Sequence, residues 1–219
     1  MEPSDSRAYC GRMTTIGFIG AGKIGSTLAR HFTVLGYQVA VSNSRGPETL
    51  KNLQLDLGDH ARALSTADTA EYGDIVVVAI PLHAYRDVPR AGLEGKVVID
   101  ANNYYPQRDG HIPELDDDSM TSSELLAGHL PSSHVVKAFN AIMWTHLAEW
   151  GRPSGDPERL GIPMAGASAA AKQTVGGLID AVGFDAVDTG DLPSSRLFQP
   201  GAVLYGADTT ADKIRANLG

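Results

Sequence analysis

The segment TIGFIGAGKIGSTLA constrains the fold of this chain more than any other stretch of its sequence. Its apolar start, Thr15–Ile19, predicts a strand, and apolar residues at helical spacing through 23–35 predict a helix directly after it. Between them lie Gly20, Gly22 and Gly25, in the spacing G-x-G-x-x-G. The first glycine permits a tight turn, the second lets the backbone approach a pyrophosphate, and the third lets helix and strand pack closely.

This glycine turn predicts a dinucleotide site. Free backbone amides and the positive end of the helix dipole would meet the negative charge of a pyrophosphate. We assign six residues of the turn to the cofactor: Gly20, Ala21, Gly22, Lys23, Ile24 and Gly25. The alternative is a glycine-rich turn that serves packing alone.

Strand-like and helix-like stretches alternate along the rest of the chain. Further strands are predicted at 37–41, 61–64, 75–80, 96–101 and 134–139, with helices at 48–57, 66–72 and 122–129. Continuous apolar runs such as IVVVAI are typical of strands buried on both faces. We therefore expect an α/β fold, with a Rossmann-type doubly wound parallel sheet and right-handed crossovers. The acidic segment 109–120 is expected to be a solvated loop.

The stretch richest in proline and glycine, 150–161, is the best candidate for a domain boundary. We expect a dinucleotide-binding domain at 13–150 and a small C-terminal αβ unit at 151–219 that completes the substrate pocket. The polar residues 1–12 are expected to form a disordered tail, with Met13 as a candidate natural start.

Composition excludes several classes of function. A formal net charge of −8 argues against a nucleic-acid partner, because such binding is driven by basic surface. The single cysteine, Cys10, excludes an internal disulfide framework and a cysteine-based metal cluster. The longest apolar run, 75–80, is far shorter than the roughly 20 residues that span a bilayer. We expect a cytoplasmic protein with neither a metal nor a membrane partner.

The predicted end of the second strand carries the signal for the choice of cofactor. Many dinucleotide-binding folds place a carboxylate here to bind the ribose hydroxyls of NAD. This chain has Ser42, Asn43, Ser44 and Arg45 instead. A guanidinium with short donors suits a ribose 2′-phosphate, which a carboxylate would repel. Asn43, Ser44 and Arg45 therefore favour NADP(H), the alternative being that Arg45 is a surface charge in a turn.

A third contact region, AIPLHAY, follows the predicted fourth strand. Pro81 ends that strand at the carboxyl edge of the sheet, where ligands bind in such folds. We assign Ala79, Ile80 and Pro81 to the wall beside the nicotinamide ribose and the diphosphate. His83 is read as a solvated residue at a helix start, so no catalytic acid or base is assigned.

Five segments together resemble the family of coenzyme-F420-dependent NADP oxidoreductases and their bacterial dinucleotide-binding relatives. They are IGFIGAGKIGSTLA, VSNSRGPE, VVKAFNAI, IPMAGASAAAK and DTGDLPSSRLFQPG, and the resemblance extends from residue 15 to about 206. The resemblance implies hydride transfer between the nicotinamide of NADP and the C5 carbon of a deazaflavin stacked upon it. Such a transfer needs stacking geometry more than a protein acid or base.

The resemblance also implies a pocket for the nicotinamide and the acceptor. By this resemblance, Asn140 and Ile142 match positions on the nicotinamide side of the pocket. The C-terminal side of the same pocket is matched by Ser195, Arg196 and Leu197. Apolar Ile142 and Leu197 would sandwich rings, while Asn140 would hydrogen-bond a carboxamide or ring carbonyl. For Ile142 and Leu197 the alternative is plain core packing.

Several functions stay open at the level of sequence. The acceptor is expected to be coenzyme F420, FMN or FAD, and the shorter branch of the family resembles the cytoplasmic domain of NADPH-dependent ferric reductases. A different class is a non-catalytic NADPH-binding sensor or partner subunit. A β-hydroxyacid dehydrogenase or imine reductase would carry a long all-helical second domain, whereas the sixty or so residues after 161 here read as αβ. The resemblance suggests a homodimer formed through the C-terminal unit.

Overall fold

The computed structural model describes residues 14–218, so the predicted tail at 1–12 lies outside the described residues. Six parallel strands form the main sheet, in the order β3-β2-β1-β4-β5-β6. They are β1 (Thr15–Ile19), β2 (Gln38–Ser42), β3 (Ala61–Ala63), β4 (Ile75–Val78), β5 (Val97–Asp100) and β6 (His134–Lys137). The order reverses at β1, beside β4, which is the switch point where doubly wound sheets bind ligands. The predicted fold class is confirmed.

Helices cover both faces of this sheet. The helices are α1 (Lys23–Val34), α2 (Lys51–Leu57), α3 (Thr66–Tyr72), α4 (Pro106–Asp109), α5 (Pro113–Asp116), α6 (Ser122–His129), α7 (Trp144–Glu149), α8 (Ala169–Ala181) and α9 (Ala211–Ala216). Phe18 packs with α1, α2, α7 and α8 in one buried cluster, and the next residue, Ile19, packs with α3 and α6 in another. Successive strand residues point to opposite faces, so every central strand is apolar on both sides.

Two predicted strands are shorter than their apolar runs. β4 ends at Val78, because Ile80 N donates to a side chain, Asn102 Oδ1, instead of to the ladder. β6 ends at Lys137, because Phe139 has a φ of 63°, which lies outside the extended region. The backbone therefore leaves the sheet at its carboxyl edge after both strands, and the turn after β4 lines the cavity described below.

The acidic segment 109–120 differs from the expected solvated loop. It contains the end of α4 and the whole of α5, and the side chain of Leu115 is buried against the core. Prolines at the first positions of both short helices fit their start, where no backbone donor is needed. Most of the segment is exposed, as expected, but the prediction of a loop was wrong. Leu115 is buried, and Ile112 and Met120 pack partly against the same cluster, so three apolar residues anchor the segment.

The C-terminal part adds a two-stranded parallel sheet, β7 (Gly161–Met164) and β8 (Asp185–Asp188), joined by α8. An antiparallel bridge between Lys137 and Ala165 links it to β6. Ile162, Met164 and Val175 belong to the same buried cluster as Phe32 of α1, so one apolar core continues across the 150–161 stretch. Among residues 14–218, no helix has the length and apolar character needed to cross a membrane.

Candidate functional site

A cavity of about 570 Å³, here called the edge cavity, opens at the carboxyl edge of β1, β2 and β4. This volume is usual for sites that take small molecules. It is lined by the glycine turn after β1, the residues after β2 and the turn after β4. The three segments that the sequence singled out therefore meet on one surface, because the parallel strands that carry them are neighbours.

The structure gives a different reason for a glycine at each of the three positions of the turn. Gly20 has a φ of +109°, and a Cβ there would lie 2.2 Å from the carbonyl oxygen of Ala79. A Cβ on Gly25 would lie 2.0 Å from the oxygen of Gly20, so α1 could not pack as closely on the turn. Around Gly22 a Cβ would meet nothing within 4 Å, because that residue, like Gly20 and Ala21, lines the edge cavity. These are the three roles that the G-x-G-x-x-G spacing predicts.

The start of α1 is suited to bind an anion. Gly22 occupies the N-cap position, no side chain caps the helix, and its first turn carries no acidic residue. Its first amides are thus left without intrahelical acceptors, and the partial positive charge of the helix end adds to them. Lys23 and Ile24 lie beside the cavity lining: the Lys23 ammonium is 5.1 Å from the ring centroid of Trp144, and Ile24 packs against the core.

Of the residues after β2, Asn43 stabilises the turn, whereas Ser44 and Arg45 are exposed hydrogen-bond donors. Asn43 Oδ1 accepts a hydrogen bond from Arg45 N at 2.9 Å, and Asn43 Nδ2 donates to Thr49 Oγ1 at 2.9 Å. Ser44 and Arg45 are exposed on the rim of the edge cavity. Within residues 14–218 the Arg45 guanidinium has no hydrogen-bond or ion-pair partner. Asn43 therefore shapes the loop, and the Arg45 side chain lies on the cavity rim with no direct partner among the described residues.

The turn after β4 forms the opposite wall, with Ala79, Ile80 and Pro81 among the lining residues. Ala79 N donates to Ile19 O at 2.8 Å, and Ile80 N donates to Asn102 Oδ1 at 2.8 Å. The wall is therefore held from β1 on one side and from the end of β5 on the other.

Four further residues line the cavity and were not assigned from the sequence. Ala84 lies within the AIPLHAY stretch, whereas Thr66, Asp87 and Val88 lie outside every motif. Thr66 begins α3, and the others come from the 3-10 helix Leu82–Asp87 and the residue after it. Buried Leu82 and Tyr85 hold that short helix against the sheet. No local pattern marks Thr66, Asp87 or Val88, because only the return of the chain over the sheet edge brings them to the cavity.

Asn140 and Ile142 lie outside the edge cavity. Asn140 is buried, and its Nδ2 donates to Asn103 Oδ1 at 3.1 Å and to Phe198 O at 2.9 Å. Its Oδ1 is buried and has no hydrogen-bond partner among the described residues. Ile142 packs partly against the main core and lines a separate, very small cavity of about 20 Å³ with Leu160.

The predicted C-terminal side of the pocket is a 3-10 helix, Leu192–Phe198, which packs beside α6 and β6. Ser195 is buried, and its Oγ has no partner in the described part of the chain. Arg196 is exposed, with Nε donating to Pro193 O at 2.9 Å, and Leu197 packs partly against the C-terminal core. The bond from Asn140 to Phe198 brings this segment to the end of β6.

Titratable side chains near the site have structural partners. His83 Nδ1 lies 3.1 Å from Asp109 Oδ1, and the His83 side chain is half exposed. Burial lowers the pKa of the Lys137 ammonium, while the charge of the neighbouring Asp100 opposes this shift. Over the range 14–218, no group of three or more histidine, cysteine or acidic residues could hold a metal ion.

Comparison with known proteins places these features in one family. The sequence model of the family described as NADP oxidoreductase, coenzyme F420-dependent, matches residues 15–104. That span contains the glycine turn, the residues after β2 and the turn after β4. The match therefore covers the segments that line the edge cavity.

Two solved structures resemble the chain over most of its length. A hypothetical protein from Sinorhizobium meliloti is 31% identical, with 89% of this chain and 94% of that chain covered and a TM-score of 0.76. A proposed F420-dependent NADP reductase from Arthrobacter sp. FB24 is 25% identical, with 84% and 88% covered and a TM-score of 0.72. Both matches extend past residue 104 into the C-terminal part.

A curated relative is the metalloreductase STEAP3 of the rat, Rattus norvegicus. It is 28% identical over 184 residues, which is 83% of this chain and 35% of the rat protein. The chain thus spans about a third of the length of that relative.

Proposed function

The chain belongs to the family of coenzyme-F420-dependent NADP oxidoreductases, and on that premise we propose that it transfers a hydride between NADP(H) and a deazaflavin or flavin. The observation that carries this proposal is the edge cavity, where an uncapped helix start and Arg45, which has no partner among residues 14–218, line one surface. An anionic dinucleotide with an additional phosphate at one end matches that distribution of donors.

In this proposal the adenosine half lies toward β2 and the diphosphate over the glycine turn. Gly22 leaves open the space that a Cβ would fill, so the backbone there is accessible to a diphosphate. Arg45 and Ser44 would bind the 2′-phosphate, with Asn43 holding their loop. Ala84 and Val88 offer apolar surface to the adenine.

The nicotinamide half would extend along Ala79, Ile80 and Pro81 toward the ends of β5 and β6. When bound, the nicotinamide supplies the hydride that the reaction transfers. The role of the protein is then to orient two rings and to exclude water, which requires no protein acid or base. We place the acceptor beside the Leu192–Phe198 segment, with Asn140 contributing its unpaired Oδ1. The same proposed acceptor pocket includes Ile142, Ser195, Arg196 and Leu197.

The test mixes the full chain with NADPH and, in separate reactions, oxidised coenzyme F420, FMN, FAD or a ferric chelate. We expect acceptor-dependent loss of nicotinamide absorbance with at least one of them, and a much slower reaction with NADH. Absence of turnover with every acceptor would contradict the enzymatic proposal. Tight NADPH binding with a changed oligomer size and no turnover would favour the sensor or partner subunit.

A second candidate function is reduction of ferric iron through a bound flavin, favoured by the similarity to the rat metalloreductase. In that case NADPH oxidation with a ferric chelate would require FMN or FAD in catalytic amount. Ferric reduction that proceeds only when flavin is added would distinguish this function from direct transfer to coenzyme F420.

A further inference from the structure

A buried polar network lies directly behind the wall of the edge cavity. The Lys137 ammonium, with no exposed surface, donates to Asp100 Oδ2 at 3.2 Å, to Ser122 Oγ at 3.3 Å and to the backbone oxygen of Asn102. Its three N–H groups therefore all have acceptors. Asp100 in turn accepts from Asn102 N at 2.9 Å and from Ser123 Oγ at 2.5 Å.

This network reaches the cavity through one side chain. Asn102 is held by its backbone oxygen on Lys137 and by its backbone N–H on Asp100. Its Oδ1 accepts from Ile80 N at 2.8 Å, and Ile80 lines the edge cavity. The contacts thus run without a break from a charge pair inside the sheet to the wall that we assign to the nicotinamide half.

We propose that Lys137, Asp100 and Asn102 form a positioning unit that holds Ile80 in place for the nicotinamide half of the dinucleotide. This rests on the proposed function. Lys137 and Asp100 are positioning residues, since they act through Asn102 and line no part of the cavity.

The energetics of burial support a positioning role over simple stabilisation. Removing two charges from water is costly, and apolar residues of similar size are often equally stable in such places. The charged pair contributes directional contacts, because five hydrogen bonds fix the ends of β5 and β6 and the start of α6 relative to one another. An apolar pair would leave Asn102 free to rotate away from Ile80.

A second observation comes from Asn102 itself. Its Nδ2 is buried and has no hydrogen-bond partner among residues 14–218. An unpaired buried donor makes the folded state less stable. The presence of asparagine at this position is therefore better explained by the contact of its Oδ1 with Ile80 N than by a contribution to stability.

The test compares two ligands on the same variants of the full chain. NADPH has both halves of the cofactor, whereas adenosine 2′,5′-bisphosphate lacks the nicotinamide half. Asn102→Ala removes the acceptor for Ile80 N. We expect it to weaken NADPH about tenfold, the scale of a lost hydrogen bond, and to leave the bisphosphate within about twofold.

A second variant tests the same inference without leaving a buried unpaired charge that could prevent folding. The double change Lys137→Met and Asp100→Asn removes both charges together, which avoids a buried unpaired carboxylate. We expect it to weaken NADPH in the same selective way. The matched control is Arg159→Met, which removes another buried cation, paired at 2.9 Å with Asp180 in the C-terminal part, and should change neither affinity.

The outcomes separate this inference from the proposed function. If the unchanged protein fails to bind NADPH, the proposed function is wrong. If it binds NADPH but the variants weaken both ligands equally, or neither, the positioning unit is wrong. Loss of NADPH affinity in Arg159→Met equal to that in Asn102→Ala would likewise overturn it.

Discussion

Arg45 is the residue that separates the two nicotinamide dinucleotides in the proposed complex. It is exposed on the cavity rim without a partner among the described residues, so its charge is available to a ligand. We expect Arg45→Ala to weaken NADPH by about 1.5–3 kcal/mol, the scale of hydrogen bonds to a charged group, and to leave NADH nearly unchanged. Titration with both dinucleotides measures the difference.

Lys51→Ala is the control for Arg45→Ala, because Lys51 is another exposed cation nearby in sequence that does not line the cavity. It should leave the affinity for both dinucleotides close to that of the unchanged protein. An equal loss of NADPH and NADH affinity in Arg45→Ala would mean that Arg45 does not read the 2′-phosphate.

At the scale of elements, the glycine turn contains one glycine that we expect to affect cofactor binding alone and another that we expect to affect stability as well. Gly22→Ala places a methyl group where no atom beyond its own chain neighbours lies within 4 Å, so we expect nearly unchanged unfolding but weaker NADPH binding. Gly25→Ala places it 2.0 Å from Gly20 O, so the unfolding temperature should fall as well. Thermal unfolding and NADPH titration of both variants check this. Equal stability loss would show that Gly22 serves packing alone.

The short helix α4, which follows β5, gives a prediction about the pH dependence of stability. Burial raises the pKa of Asp109, but hydrogen bonds from Arg108, Tyr105 N and His83 outweigh it and bring the pKa from 3.8 to about 2. A depressed pKa stabilises the fold fully above 3.8 and loses that contribution as the pH falls toward 2. Asp109→Asn should therefore lower the free energy of unfolding at pH 7, by about 1 kcal/mol once solvent screening of its half-exposed partners Arg108 and His83 is included.

Denaturant unfolding of Asp109→Asn and the unchanged protein at pH 7 and pH 3 tests the sign, since the difference should be smaller at pH 3. Glu94→Gln, which removes an exposed carboxylate, is the control and should have little effect at either pH. A difference that grows on acidification would contradict this account.

For the whole molecule, the C-terminal part is expected to be inseparable from the rest. Ile162, Met164 and Val175 share a buried cluster with α1 and the main sheet, and removal of residues 151–219 would expose that apolar surface to water. We expect a chain that ends at residue 150 to lose cooperative unfolding. Cooperative unfolding and NADPH binding by such a fragment would instead support the predicted domain boundary at 150–161.

Assembly belongs to the same scale. The resemblance suggests a homodimer formed through the C-terminal unit. In the apolar stretch FQPGAVLY of that unit, Phe198 and Leu204 are buried within their own chain and Val203 is exposed. The homodimer stays a prediction, and light scattering of the full chain measures it.

The sequence by itself determined the alternating αβ architecture and the three segments of the edge cavity. These follow from short-range patterns: the period of apolar residues, the G-x-G-x-x-G spacing and the absence of a carboxylate after β2. Parallel strands in a doubly wound sheet bring such segments to one edge whatever their other contacts.

Only the tertiary structure decided how individual polar side chains are used. Asn43 closes a turn, Lys137 joins Asp100, which is 37 residues earlier, and Asn102 holds Ile80 across 22 residues. Asp87 reaches the cavity because a short helix folds back over the sheet. The physical reason is distance along the chain: a hydrogen bond between strand ends depends on packing and register, which no local pattern of residues encodes.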